Sequence, residues 1–129
     1  MCADAVKSKS IFDVLKLDAN GLVAAVVQDV NTKRVLMVGY MNREALEITL
    51  RERRACFWSR SRQKLWRKGE SSGNVLNLIE IRTDCDNDAM LLVCDPVGPT
   101  CHTNETSCFY RVVEEDGRLI LSGDGVATE

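Results

Sequence analysis

The hydrophobic pattern begins with IFDVLKLDANG (11–21), a short amphipathic piece ended by an Asn20-Gly21 turn. Two β-branched runs follow, LVAAVVQDV (22–30) and RVLMVGY (34–40). The connection between them, Asn31-Thr32-Lys33, is short enough for a hairpin. In MNREALEITLRER, Ala45, Leu46, Ile48, Thr49 and Leu50 recur among charged residues. That spacing predicts a helix of about three turns. Asn42 suits its N-cap, and Glu44 suits the positively polarised first turn.

Beyond the helix, ACFWS (55–59) and KLWRK (64–68) read as strands and GESSGN (69–74) as a turn or loop. VLNLIEIRT (75–83) and the nearly continuous apolar AMLLVCD (89–95) predict two more strands, and PVGPTCHTNETS (96–107) a loop. CFYRVVEE (108–115) and RLILSG (118–123) are strand-like on either side of an Asp116-Gly117 turn. Many strands around one clear helix predict an α+β fold with a largely antiparallel sheet. At 129 residues, the expected organisation is a single domain over 1–129.

A hydrophobic fraction of 45% and a charged fraction of 28% are ordinary for a soluble globular protein. No apolar run approaches the roughly 20 residues needed to cross a bilayer, and MCADAVKSKS lacks the apolar core of a signal peptide. The expected location is cytoplasmic. Under reducing conditions six cysteines call for metal binding or reactivity rather than disulfides. Cys56 and Cys94 lie in apolar runs and read as small core hydrophobes, and Cys2 is terminal.

The net charge of -2 conceals an asymmetry. From Arg51 to Lys68 there are eight basic residues and one acid, Glu52; from Glu70 onward there are twelve acids against Arg82, Arg111 and Arg118. A phosphorylated ligand handled beside metal ions would use both halves. The acidic half contains TDCDND (83–88). Read as extended chain, it points Asp84, Asp86 and Asp88 one way and Cys85 the other. Three carboxylates so close require a cation, and a hard one such as Mg²⁺ suits them. A calcium loop is excluded, because its sixth and twelfth positions, wanting Gly and Glu, hold Ala89 and Asp95. The bland reading of this segment is a solvated acidic turn.

Cys85 is a soft ligand, and Cys101 and Cys108 follow in GPTCHTNETSCFY. Three thiolates could hold Zn²⁺ with the fourth position open, the mark of a catalytic rather than a structural site. His102, the sole histidine, has three readings: a fourth zinc ligand, an acid–base group, or an exposed loop residue. Its near-neutral unperturbed pKa makes proton transfer the first choice. In SRSRQKLWRKGESSGN (59–74), Arg60, Arg62 and Lys68 suit phosphate oxygens. Ser71, Ser72 and the backbone near Gly73 suit a phosphate nest, and Trp58 or Trp66 a stacked purine. Alone, this segment reads as a solvated basic face. A nucleic-acid patch is disfavoured by the acidic balance.

Together these segments resemble the phosphoribosyl-AMP cyclohydrolase family. Its motifs are matched by VLMVGYMNREAL (35–46), FWSRSRQKLWRKGESSGN (57–74), DCDND (84–88) and GPTCHTNETSCFY (98–110). The resemblance implies hydrolysis of the N1–C6 bond of the adenine ring in phosphoribosyl-AMP, in histidine biosynthesis, giving the ring-opened formimino carboxamide nucleotide. It implies zinc at Cys85, Cys101 and Cys108 and magnesium at Asp84, Asp86 and Asp88. It also implies an intertwined homodimer whose zinc sites lie at the interface with ligands from both chains. The family pattern has histidine where Asn74 stands here and glycine where Asn104 stands. The deaminase signature H-x-E with P-C-x-x-C is absent. The rival from another class is a non-catalytic structural-zinc protein that binds a phosphorylated ligand or single-stranded nucleic acid.

Overall fold

Residues 9–121 are described by a computed structural model. Cys2 and the end of the RLILSG run, Ser122 and Gly123, lie outside the described residues. The fold is a single small domain of mixed α and β content: a four-stranded sheet, two hairpins and few helices.

The first short piece forms α1 (Ile11–Val14), capped by the Ser10 side chain, which accepts from the Phe12 N–H. Strand β1 (Val23–Asp29) buries Val23, Ala25, Val27 and Asp29 on one face, the period-2 pattern expected of a strand. It pairs antiparallel with β2 (Val35–Met41). The hairpin turn closes because the Asp29 carboxylate accepts from the Asn31 N–H at 2.7 Å and the Thr32 N–H at 3.3 Å. Lys33 takes the left-handed conformation there.

Helix α2 (Arg43–Glu52) starts where Asn42 accepts from the Ala45 N–H at 2.8 Å and stops at left-handed Arg53. It buries Ala45, Leu46, Ile48 and Thr49. The Thr49 hydroxyl, bonded to the Ala45 carbonyl, also accepts from the Cys56 N–H at 2.9 Å. That fastens the helix to β3 (Cys56–Ser59), which pairs with β4 (Lys64–Arg67). Phe57 of β3 lies over Gly39 of β2 so closely that a Cβ there would sit 2.6 Å from its ring.

Strands β5 (Leu76–Thr83) and β6 (Ala89–Pro96) pair antiparallel and complete the sheet in the order β2-β1-β6-β5. The sheet is largely antiparallel, with one addition to the expectation: β1 and β6 run parallel. Both carry apolar residues on two faces, which suits central strands, and the segments between them supply the long crossover a parallel pair needs. The β7 strand (Arg111–Val113) is shorter than the predicted 108–115. Its expected first residues are drawn elsewhere: the Ser107 hydroxyl donates to the Val35 carbonyl and the Cys108 N–H to the Leu36 carbonyl. The β7–β8 hairpin, with β8 at Leu119–Leu121, exposes Val112, Val113, Leu119 and Ile120. Among the described residues no helix is long and apolar enough to cross a membrane.

Candidate active site

One cavity of about 440 Å³ gathers most of the chemistry marked in the sequence. Its walls include Arg62, Trp66, Lys68, Ser71 and Ser72 from the basic segment and Cys101, His102 and Cys108 from the cysteine loop. Met37 and Leu65 supply apolar lining. The basic segment reaches the cavity through a sharp turn after β4. Gly69, at φ +83°, comes so near the next turn that a Cβ would lie 2.5 Å from the Asn74 carbonyl carbon. Loop 69–74 then closes on itself, the Gly73 N–H donating to the Gly69 carbonyl at 2.8 Å and the Asn74 N–H to the Ser72 hydroxyl at 3.1 Å. Lys68, read from the sequence as a phosphate contact, is buried, and its Nζ donates to the Asn74 carbonyl at 2.9 Å.

The cysteine loop is a small paired structure of its own. Thr100 N–H donates to the Thr106 carbonyl and Cys101 N–H to the Glu105 carbonyl, both at 3.1 Å, while Asn104 N–H returns to the Cys101 carbonyl at 2.9 Å. Asn104 adopts φ +73°, which accounts for glycine in the family pattern; asparagine is among the residues that best tolerate this region. Asn74, the other departure, has its amide oxygen so near Gly98 that a Cβ there would meet it at 2.6 Å.

Cys101 and Cys108 line the same cavity. Burial by itself would raise the Cys101 thiol, but the hydroxyl and N–H of Thr103, together with Cys108, outweigh it and bring the thiol below its ordinary value. The Thr103 hydroxyl donates to the Cys101 sulfur at 3.0 Å. Burial, reinforced by the charge of Cys101, pushes Cys108 up to about 11. Burial lowers the Lys68 ammonium, while the nearby sulfurs of Cys108 and Cys101 act in the opposite direction. Thr100, at 4% exposure in the same wall, has a buried hydroxyl without a hydrogen-bond partner among the described residues. Paired thiols, one held by a hydroxyl donor, form a donor set that fits a soft cation.

The second cluster stands at the far end of β6, a strand roughly 23 Å long. Carboxylate oxygens of Asp84, Asp86 and Asp88 all lie within 4.8 Å of one another on the surface. The alternating extended chain read from the sequence is not how they meet. Residues 84–88 form a turn, with Asn87 at φ +63° and the Asp84 carboxylate accepting from the Asp88 N–H at 3.0 Å. Hydrogen bonding with Asp86 and Asp84, burial and their charges raise Asp88 to about 6. Burial alone would raise Asp84, yet its hydrogen bonds from Asp88 and Ala89 lower it. Convergent oxygen ligands on a wet surface fit a hard cation. Cys85 sits exposed in this turn, at the opposite end of β6 from Cys101 and Cys108.

Two other marked residues stand outside the cysteine cavity. Arg60 stacks its guanidinium 3.9 Å over the Tyr40 ring and lines a separate pocket with Trp58. Gly73 lines a neighbouring cavity of about 520 Å³, which is walled by the Glu52–Arg67 ion pair and holds none of the cysteines. Cys56 and Cys94 are buried in the core, and burial pushes the Cys94 thiol to about 12. Sequence reasoning passed over Thr100 and Thr103; the only signal was a hydroxyl residue one before and two after Cys101.

A family model described as phosphoribosyl-AMP cyclohydrolase matches residues 37–110. Three similar proteins carry that name. One from Chlorobium phaeovibrioides is 52% identical over 111 residues, 86% of this chain and 81% of the relative. One from Sphingopyxis alaskensis is 56% identical over 109 residues, 84% and 86% of the two chains. One from Pseudomonas fluorescens is 57% identical over 107 residues, 82% and 80%.

Proposed function

The chain belongs to the phosphoribosyl-AMP cyclohydrolase family, hydrolases of histidine biosynthesis acting on a cyclic amidine, and we propose that its cysteine-lined cavity performs that hydrolysis. The substrate is phosphoribosyl-AMP and the bond broken is N1–C6 of its adenine ring. The observation that carries this reading is the meeting of two thiols, a histidine, a tryptophan and phosphate-suited groups in one cavity.

Cys101 and Cys108 of one copy, with Cys85 of a second, would hold zinc, and Asp84, Asp86 and Asp88 would hold magnesium. When bound, zinc supplies the Lewis acidity that lowers the pKa of water to about 7. The chain's own residues do the rest. Arg62 and the hydroxyls of Ser71 and Ser72 bind phosphate oxygens of a ligand that carries two phosphates. Trp66 offers a ring face, 39% exposed, for the purine. Substitution at N1 leaves the ring electron-poor, so C6 accepts water, and His102 at the cavity edge delivers the proton that N1 needs as the bond opens. Arg60 and Gly73 line two other pockets and are left without a contact to those phosphates.

The family resemblance implies a homodimer with the zinc site at its interface, and the separation of Cys85 from the thiol pair is consistent with it. Apolar surface supports it. Val38 is exposed, and Val26 and Leu91 beside it in register are half-buried, while the β7–β8 hairpin exposes four more aliphatic residues. The expected compartment is the cytoplasm, where the thiols stay reduced.

The test is an ultraviolet assay of ring opening on phosphoribosyl-AMP, before and after stripping metals with chelator. Turnover that vanishes on stripping and returns with zinc and magnesium is expected. No turnover from folded, zinc-loaded dimer would overturn the reading. Salt-dependent binding of single-stranded nucleic acid in its place would favour the structural-zinc alternative.

A further inference from the structure

A buried lysine usually carries a carboxylate partner, because an isolated ammonium is costly to remove from water. Lys68 is 7% exposed, yet among the described residues it makes no ion pair. Among the described residues its side chain makes one hydrogen bond, to the backbone carbonyl of Asn74. The thiols of Cys108 and Cys101 share its cavity and are the groups whose negative charge, once they are deprotonated, reaches it. The acids nearby, Glu52 and Glu70, are exposed, and Glu52 is occupied by a two-point bond to Arg67.

We propose that Lys68 is a positioning residue for the metal centre: its fixed positive charge balances the cysteine pair, and its bond to Asn74 holds loop 69–74 against them. This role differs from a contact with substrate and rests on the zinc reading above. A dication held by three thiolates carries a net charge of −1. One adjacent ammonium brings that wall to neutrality, so a charge that is costly in the metal-free protein becomes matched in the loaded one. The site thus stores an unpaired cation whose partner arrives with the metal.

Two measurements separate this role from a simple loop clip, and neither requires substrate. Zinc affinity is taken by competition against a chromophoric chelator for the parent, Lys68→Met and Lys68→Arg, and melting temperature is taken for the same proteins stripped of metal. Lys68→Met should weaken zinc by about 10- to 100-fold, the range for groups behind the ligands. Lys68→Arg should stay within a few-fold of the parent, because the charge is restored. Stripped Lys68→Met should melt no lower than the parent, since it loses a desolvated, unpaired charge. Parent-like zinc affinity in Lys68→Met, with the parent itself binding zinc, would overturn the inference alone. A melting temperature that collapses with zinc binding and is not rescued by arginine would reduce Lys68 to a clip and overturn it as well. A parent that binds no zinc would remove the reading on which it rests.

Discussion

The two ends of β6 carry opposite kinds of chemistry. At one end Cys101 and Lys68 are buried with Cys108 exposed beside them, and each group's charge depends on its neighbours. At the other, Asp84, Asp86 and Asp88 converge in open water, fixed by a turn. Soft, polarisable donors gain from burial because a bound cation is then felt at full strength. Hard carboxylates tolerate exposure, since a small cation keeps part of its own water. The ends of one strand thus carry two donor sets that differ in softness and exposure. Cys85 breaks the division, being a soft donor in the wet turn. In the proposed dimer that turn would meet the thiol pair of another copy.

The sharpest way to break this contrast is at the buried end. Cys101→Ala should lower turnover by more than the roughly 100-fold that outer partners contribute, with zinc content falling in parallel by metal analysis. Its melting curve should keep the magnesium response. Asp86→Asn is the converse: about 10- to 100-fold weaker magnesium binding by titration, with zinc retained. Either variant losing both metals would mean the two ends are one site.

Acid sharpens the contrast further. The folded-state pKa of Asp88 lies above its ordinary 3.8, at about 6. Its protonated form is thus favoured by the metal-free fold, and the stability this gives is present below about pH 4 and lost as pH rises through about 6. In the proposed site magnesium would replace that proton. The gain in melting temperature on adding magnesium should therefore be absent near pH 4 and grow towards pH 7. A gain independent of pH would remove Asp88 from the cation site.

The smallest expected effect is in the cysteine loop. Asn104→Ala should cost about 1 kcal/mol in denaturant unfolding, because alanine lacks asparagine's tolerance of φ +73°. Asn104→Gly should cost little.

Elements whose apolar pattern has one period were legible in the sequence. Strand β1, helix α2 with its Asn42 cap, and the β1–β2 hairpin stand where alternation and capping put them. The parallel pairing of β1 with β6 was not legible, because two runs apolar on both faces do not encode which neighbour they choose. Residues 108–110 have strand-like composition, but the Leu36 carbonyl binds the Cys108 N–H. Of the site, ligand types were legible and their environments were not. The aspartates gather through a left-handed Asn87 rather than by alternation, and Lys68, read as a phosphate contact, is buried instead. Burial of that residue is set by Gly69 and the close return of Asn74, a tertiary event with no local signature.

The central proposal, that Cys85 of one copy completes the thiol pair of another, is tested most directly by complementation. Cys85→Ala and Cys101→Ala, each inactive alone, are unfolded together, refolded as a mixture and assayed for ring opening. In a two-fold dimer half the molecules would be mixed, and each would hold one intact site, so about a quarter of parent activity should return. A mixture whose mixed dimers are verified by mass but stay as inactive as either variant would contradict the account.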